Sequence, residues 1–171
     1  SSSGSDLYGG SWSSPGYTVV QTYGTTKGSY TRQGETAAIS AYLYTYTITA
    51  GTTTITLNPF NNLKYGTWAL ATTAGNPISF NTTSGGTDIF GNDSTTTTTL
   101  TMTVYQGKLV TLGSNSSTKS ADILGNDTTS NSNVTYTYKE VGGQLVYDTI
   151  TTTSSSSGSD LYGGSWSSPG Y

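Results

Sequence analysis

Residues 36–49 read TAAISAYLYTYTIT, and their alternation decides the fold class. Ala38, Ser40, Tyr42, Tyr44, Tyr46 and Ile48 fall on one parity, while Ala37, Ile39, Ala41, Leu43, Thr45 and Thr47 fall on the other. A two-residue period with apolar side chains on both faces is the pattern of a central strand covered on both sides. Outward from this stretch the chemistry repeats. Residues 17–23 are β-branched and aromatic, and Gly24 is expected to end that strand. After Ala50-Gly51, residues 52–57 place Ile55 and Leu57 on one face before Asn58-Pro59 closes the run. Further strands are predicted over 63–72, 77–81, 95–105, 108–112, 133–141 and 144–152. Gly75-Asn76-Pro77, Gln106-Gly107 and Gly142-Gly143 supply turns between them. No stretch combines apolar spacings of three and four with good helix formers. The expectation is an all-β, immunoglobulin-like β-sandwich with an extended terminal donor strand.

Composition narrows the function. Hydrophobic residues make up 32% of the 171-residue chain and charged residues only 9%, against about 25% charged in ordinary proteins. No apolar run approaches the roughly 20 residues that a spanning helix requires, so no membrane span is expected. The cations Lys27, Arg32, Lys64, Lys108, Lys119 and Lys139 are scattered singly, and net charge is −3, so no basic patch is available for nucleic acid. With no Cys there are no disulfides, and with no His few groups can couple folding to pH. Little stability should therefore be lost in acid. The chain starts Ser1-Ser2-Ser3; any signal peptide is expected to have been removed or to lie outside this sequence.

The most specific feature is a duplication. SSSGSDLYGGSWSSPGY occupies residues 1–17 and recurs without a change at 155–171, a period of 154 residues. The reading divides the chain into a donor-strand or linker segment (1–17), a β-sandwich domain (18–154) and a copy of the segment belonging to the next unit (155–171). Ser and Gly dominate the 17-mer, as in a flexible linker. A linker has no use for Leu7, Tyr8, Trp12 and Tyr17, or for Leu161, Tyr162, Trp166 and Tyr171, whose side chains gain from burial. An extended segment that adds a strand to another domain's open sheet edge explains them better.

A weaker internal repeat aligns Asp88-Ile89-Phe90-Gly91-Asn92-Asp93-Ser94 with Asp122-Ile123-Leu124-Gly125-Asn126-Asp127-Thr128. Ile89, Phe90, Ile123 and Leu124 are expected to be buried anchors. The Asp and Asn oxygens fall short of the six to eight that calcium prefers, so turn formation is the better explanation and no metal is expected. N-linked glycans could be carried at Asn81, Asn92, Asn115, Asn126 and Asn133, each of which opens an N-x-[ST] sequon. Catalysis has little support. Without His or Cys, the remaining option is a carboxylate pair, and Glu35 and Glu140 lie in no motif that would join them or raise a pKa. Neither catalytic residues nor a cofactor are assigned.

Taken together, these features resemble the thread filament subunits of thermoacidophilic archaea: a Cys-free, His-free β-sandwich, Thr/Tyr-rich strands, many sequons and a terminal Ser/Gly/aromatic segment. The resemblance implies an extracellular, cell-surface filament in which β domains hang head to tail as a homopolymer. Each would receive its neighbour's N-terminal strand, glycans would cover the surface, and residues 1–17 would be the donor. Two other readings compete. One is a domain of a giant tandem-repeat adhesin or surface-layer protein. The other is a carbohydrate-binding module using Trp12, Trp68, Tyr42, Tyr44 and Tyr46 as stacking platforms.

Overall fold

The computed structural model describes residues 2–5, 9–14, 16–60, 62–64, 67–69 and 75–170. It is all-β, with antiparallel sheets and no helix among the described residues, as the alternating pattern predicts. The strands are β1 (Ser2–Ser5), β2 (Ser11–Ser14), β3 (Thr18–Arg32), β4 (Glu35–Ala50), β5 (Thr53–Leu57), β6 (Asn62–Lys64) and β7 (Thr67–Ala69). They continue as β8 (Ile78–Thr87), β9 (Asp93–Tyr105), β10 (Lys108–Ala121), β11 (Asp127–Val141), β12 (Gln144–Ser159) and β13 (Ser165–Pro169). The chain forms two compact units, one from residues 18–78 and 102–110 and the other from 1–17, 79–101 and 111–171.

The first of these is built on the sheet β3-β4-β5 and holds most of the apolar core. The 36–49 stretch becomes β4, paired to β3 from Thr18↔Thr49 to Arg32↔Glu35 and to β5 through Ile48↔Ile55. Gly24 does not end β3, because it pairs with Leu43 in mid-ladder. A glycine's entropic cost of about 0.5–1 kcal/mol is outweighed by a long continuous register. Ile48 is 1% exposed, and Ala50, Met102, Val104 and Pro59 are also buried in this unit. Thr103 is buried too and satisfies its hydroxyl by donating to the Gly75 carbonyl at 2.8 Å. The tip of the β9–β10 hairpin turns on Gln106 and Gly107, both at positive φ (50° and 76°), as a two-residue type I′ turn requires. The Gly107 carbonyl accepts hydrogen bonds from the Tyr44 and Tyr46 hydroxyls, each at 3.1 Å. Burial, and then the neighbouring Tyr44 and Tyr23 phenols, push the Tyr46 pKa up.

The second unit is an eight-stranded sheet in the order β1-β2-β8-β9-β10-β11-β12-β13, a plain meander from β8 onward. Among its described residues Phe80 is the one buried large hydrophobe, with the Tyr17 ring edge-on at 5.2 Å. Hydroxyl ladders fill the space between strands: Thr96 with Thr118 (2.8 Å) and Thr98 with Ser116 (2.9 Å) across β9–β10, Thr99 to Asn81 (2.8 Å) across β8–β9. These polar runs, 82–87, 113–121, 127–132 and 153–159, lie outside the predicted strands yet are strand here. Pairing with neighbouring strands satisfies their backbone without an apolar face. A β-bulge between Thr137 and Tyr138 brings Tyr138 opposite Tyr147, and Lys139 and Asp148 form a half-exposed ion pair at 3.0 Å beside it. The Tyr138 hydroxyl donates to the Thr111 carbonyl at 2.6 Å. Its pKa is pushed up to about 12 by burial and then by Tyr147.

The concentration of apolar burial around Ile48 makes a clear prediction. Ile48→Ala should destabilise the chain by about 2–5 kcal/mol, read as a lower urea midpoint. A solvent-face control such as Thr54→Ala should shift it far less.

Candidate assembly site

The described strands of the two copies of the 17-residue segment pair alike, at opposite edges of one sheet. In the first, β1 and β2 form a hairpin with Ser2↔Ser14, Ser3↔Ser13, Gly4↔Trp12 and Ser5↔Ser11. In the second, the end of β12 and β13 give Ser156↔Ser168, Ser157↔Ser167, Gly158↔Trp166 and Ser159↔Ser165. Every pair of the first is matched by its duplicate in the second. The segment is thus a hairpin rather than one extended strand. Trp12 and Trp166 are half exposed (52% and 51%), each with its indole laid over the facing glycine. A Cβ on Gly4 would come within 2.7 Å of the Trp12 Nε1, and one on Gly158 within 2.5 Å of the Trp166 Nε1. The pairing needs glycine there. Tyr17 packs on Phe80, whereas Leu161 and Tyr162 (93% exposed) sit at the turn of the second hairpin. Leu7, Tyr8 and Tyr171 lie outside the described residues.

That turn is a third copy of the Asp-apolar-apolar-Gly motif, which the alignment of 88–94 with 122–128 alone had not revealed. In each, the Asp N–H donates to the carbonyl four residues on: Asp88 to Asn92 (3.0 Å), Asp122 to Asn126 (3.1 Å) and Asp160 to Gly164 (2.9 Å). Each Asp Oδ1 also accepts from the N–H groups two and four residues on, at 2.7–3.0 Å. Gly91, Gly125 and Gly163 adopt φ of 84°, 84° and 85°, the left-handed region that favours glycine. The Asp oxygens are therefore engaged by the turn itself, in keeping with a turn-forming role. The shared signal was Asp followed three residues later by Gly, masked because Gly164 replaces Asn.

Ile89, Phe90, Ile123 and Leu124, expected as buried anchors, are 46–69% exposed. They occupy the central turn positions, where side chains point off the end of the sheet. Each turn is joined to the next: Asn92 Oδ1 accepts from the Ile123 N–H and Asn126 Oδ1 from the Leu161 N–H, both at 3.4 Å. The turns so form a row along one end of the meander.

Among the sequons, Asn92 and Asn126 use Nδ2 to donate to Asp88 (2.7 Å) and Asp122 (2.6 Å). Asn81 is exposed on β8 and accepts from Thr99. Asn115 and Asn133 are both exposed and face each other across β10–β11. Of the aromatic set proposed for sugar stacking, Tyr44 and Tyr46 are committed to Gly107, Tyr42 is exposed and stacks on Tyr23 at 6.3 Å, and the Trp68 side chain lies outside the described residues. Glu35 pairs opposite Arg32 at the β3–β4 turn, and Glu140 opposite Leu145 in the other unit. Among the described residues no three acidic, Cys or His side chains cluster as a metal site would need, and no helix is long and apolar enough to cross a membrane. No family model, curated protein or solved structure matches the chain.

Hydrogen bonds from Asn92 and then from the turn backbone hold the Asp88 carboxyl below its ordinary 3.8, and Asn126 does the same for Asp122. A depressed carboxyl pKa adds stability that is complete above the unfolded value and is lost as pH falls through the folded one. Thermal unfolding should therefore vary little from about pH 5 to 8 and weaken below about pH 4. The double variant Asp88→Asn/Asp122→Asn should melt lower at neutral pH and lose less on acidification, as measured by circular dichroism.

Proposed function

We propose that the chain is a non-catalytic structural repeat of an extracellular surface fibre, with 155–171 as the start of the next repeat. The single observation that carries this reading is where the repeat boundary falls. β12 runs unbroken from Gln144 to Ser159, so the Ser154–Ser155 junction lies in mid-strand. Pairing to β11 continues across it through Asn133↔Thr153, Ser132↔Ser154 and Asn131↔Ser155. A strand that ends one repeat and begins the next favours a covalent tandem array, of the kind expected for a giant repeat adhesin. Adhesion or biofilm scaffolding is the role we assign, with N-glycans at exposed sequons such as Asn115 and Asn133.

One observation favours a second reading, the thread-like filament of separate subunits. The copied segment is an edge hairpin, a form that one chain can lend to a neighbour's open sheet edge. Intact mass of the native material after full denaturation and deglycosylation separates the two. The tandem reading expects a polypeptide of many 154-residue periods. A species of a single period would overturn it in favour of strand exchange between subunits.

A further inference from the structure

We infer that successive repeats share one uninterrupted antiparallel sheet, six strands per repeat, rather than forming a string of separate domains. This rests on the reading of 1–17 and 155–171 as the starts of consecutive repeats. Three joints are needed for such a sheet, and each occurs within this chain. In the first, residues 155–159 of β12 pair with β11, from Asn131↔Ser155 to Asp127↔Ser159. Because 155–159 duplicate 1–5, β12 of one repeat is β1 of the next. In the second, that strand pairs with the one after it in the same register at both copies. In the third, β2 pairs with β8 through Ser11↔Thr87, Trp12↔Gly86 and Ser13↔Gly85. Carried forward one period, Ser165, Trp166 and Ser167 of β13 take the same three partners in the following repeat.

The free edges of the sheet are therefore complementary. The outer edge of β13 is the edge that β2 uses against β8, and the outer edge of β1 is the edge that 155–159 use against β11. The β2–β8 joint is cut for close approach. A Cβ on Gly86 would collide with the Ser11 carbonyl and approach the Trp12 Cα to 3.0 Å. Gly85 beside it is also closely placed, toward β9, where a Cβ would come within 3.0 Å of the Ser94 carbonyl. Strand direction is also preserved. From β1 to β12 the order is β1, β2, β8, β9, β10, β11, and an even number of antiparallel steps returns β12 to the direction of β1. The Asp-x-x-Gly turns then fall at one end of every repeat, in an unbroken row of three per period. The occupant of each open edge is the next copy of this chain.

At about 4.8 Å between strands, six strands advance the sheet by about 29 Å per repeat. Diffraction or electron cryo-microscopy of aligned native fibres tests this directly. The expected result is strands across the fibre axis, a 4.8 Å spacing along it and an axial period near 29 Å. Strands along the axis, or a longer period with a gap between repeats, would overturn the continuous sheet. The denatured mass separates the two claims. A many-period mass with the wrong axial period defeats the shared sheet alone, whereas a one-period mass with a 29 Å period defeats the covalent array and supports the joint between copies.

Discussion

Backbone pairing, more than apolar burial, governs this molecule. In the eight-stranded unit Phe80 is the one buried large hydrophobe among the described residues, while Ile48, Ala50, Met102 and Val104 all belong to the other unit. Each ladder hydrogen bond contributes about 0.5–1.5 kcal/mol net, and hydroxyl pairs such as Thr96–Thr118 add smaller amounts. A sheet held in this way depends most on the pairing at its margins. Its weak points are its two outer strands, where N–H and C=O groups stand unpaired. The duplicated segment occupies both of those margins.

The same constraint accounts for the low charge. In a meander of long strands in close register, each side chain faces near neighbours on both sides, and like charges directly opposite are destabilising. Ser, Thr and Asn can donate to or accept from whichever partner they meet. The Lys139–Asp148 pair sits where a bulge breaks the register, beside Tyr138 and Tyr147. A polar surface without charge also keeps flat strands hydrated, although it gives little repulsion between copies.

How far the sequence could be read follows from the same physics. The β4 stretch was legible because of its two-residue period, and the turns at Gln106-Gly107 and Gly142-Gly143 because positive φ favours glycine at 107, 142 and 143. The polar strands were not legible. Residues 153–159, one Thr followed by Ser and Gly, have no apolar period and carry no record of burial because they have little. Their strand state depends on partners distant in sequence. Gly24 misled for the same reason, since local propensity speaks for one residue and the β3–β4 ladder for fifteen pairs. Ile89, Phe90, Ile123 and Leu124 misled in the other direction. Apolar character suggested a core, whereas their place is set by the Asp carboxylates that close each turn around them. The aromatic residues of the 17-mer suggested one extended strand, and the hairpin form needed the Gly4–Trp12 register to be seen.

The Ser/Gly composition of that segment would ordinarily mean a flexible tether. Here its smallness serves contact instead. Gly4 and Gly158 leave room for an indole, and Gly85 and Gly86 let neighbouring strands approach. A repeat boundary placed in a linker leaves adjacent repeats free to rotate. One placed inside β12 obliges the following residues to continue a register already fixed by β11 from Val141↔Gln144 onward. Orientation is then transmitted through hydrogen bonds at every strand, and bending requires breaking a ladder rather than turning a single backbone bond. In the proposed continuous sheet, a chain whose described residues bury so few apolar side chains would be stiff over many repeats, because each copy would supply the paired edge that its neighbour lacks.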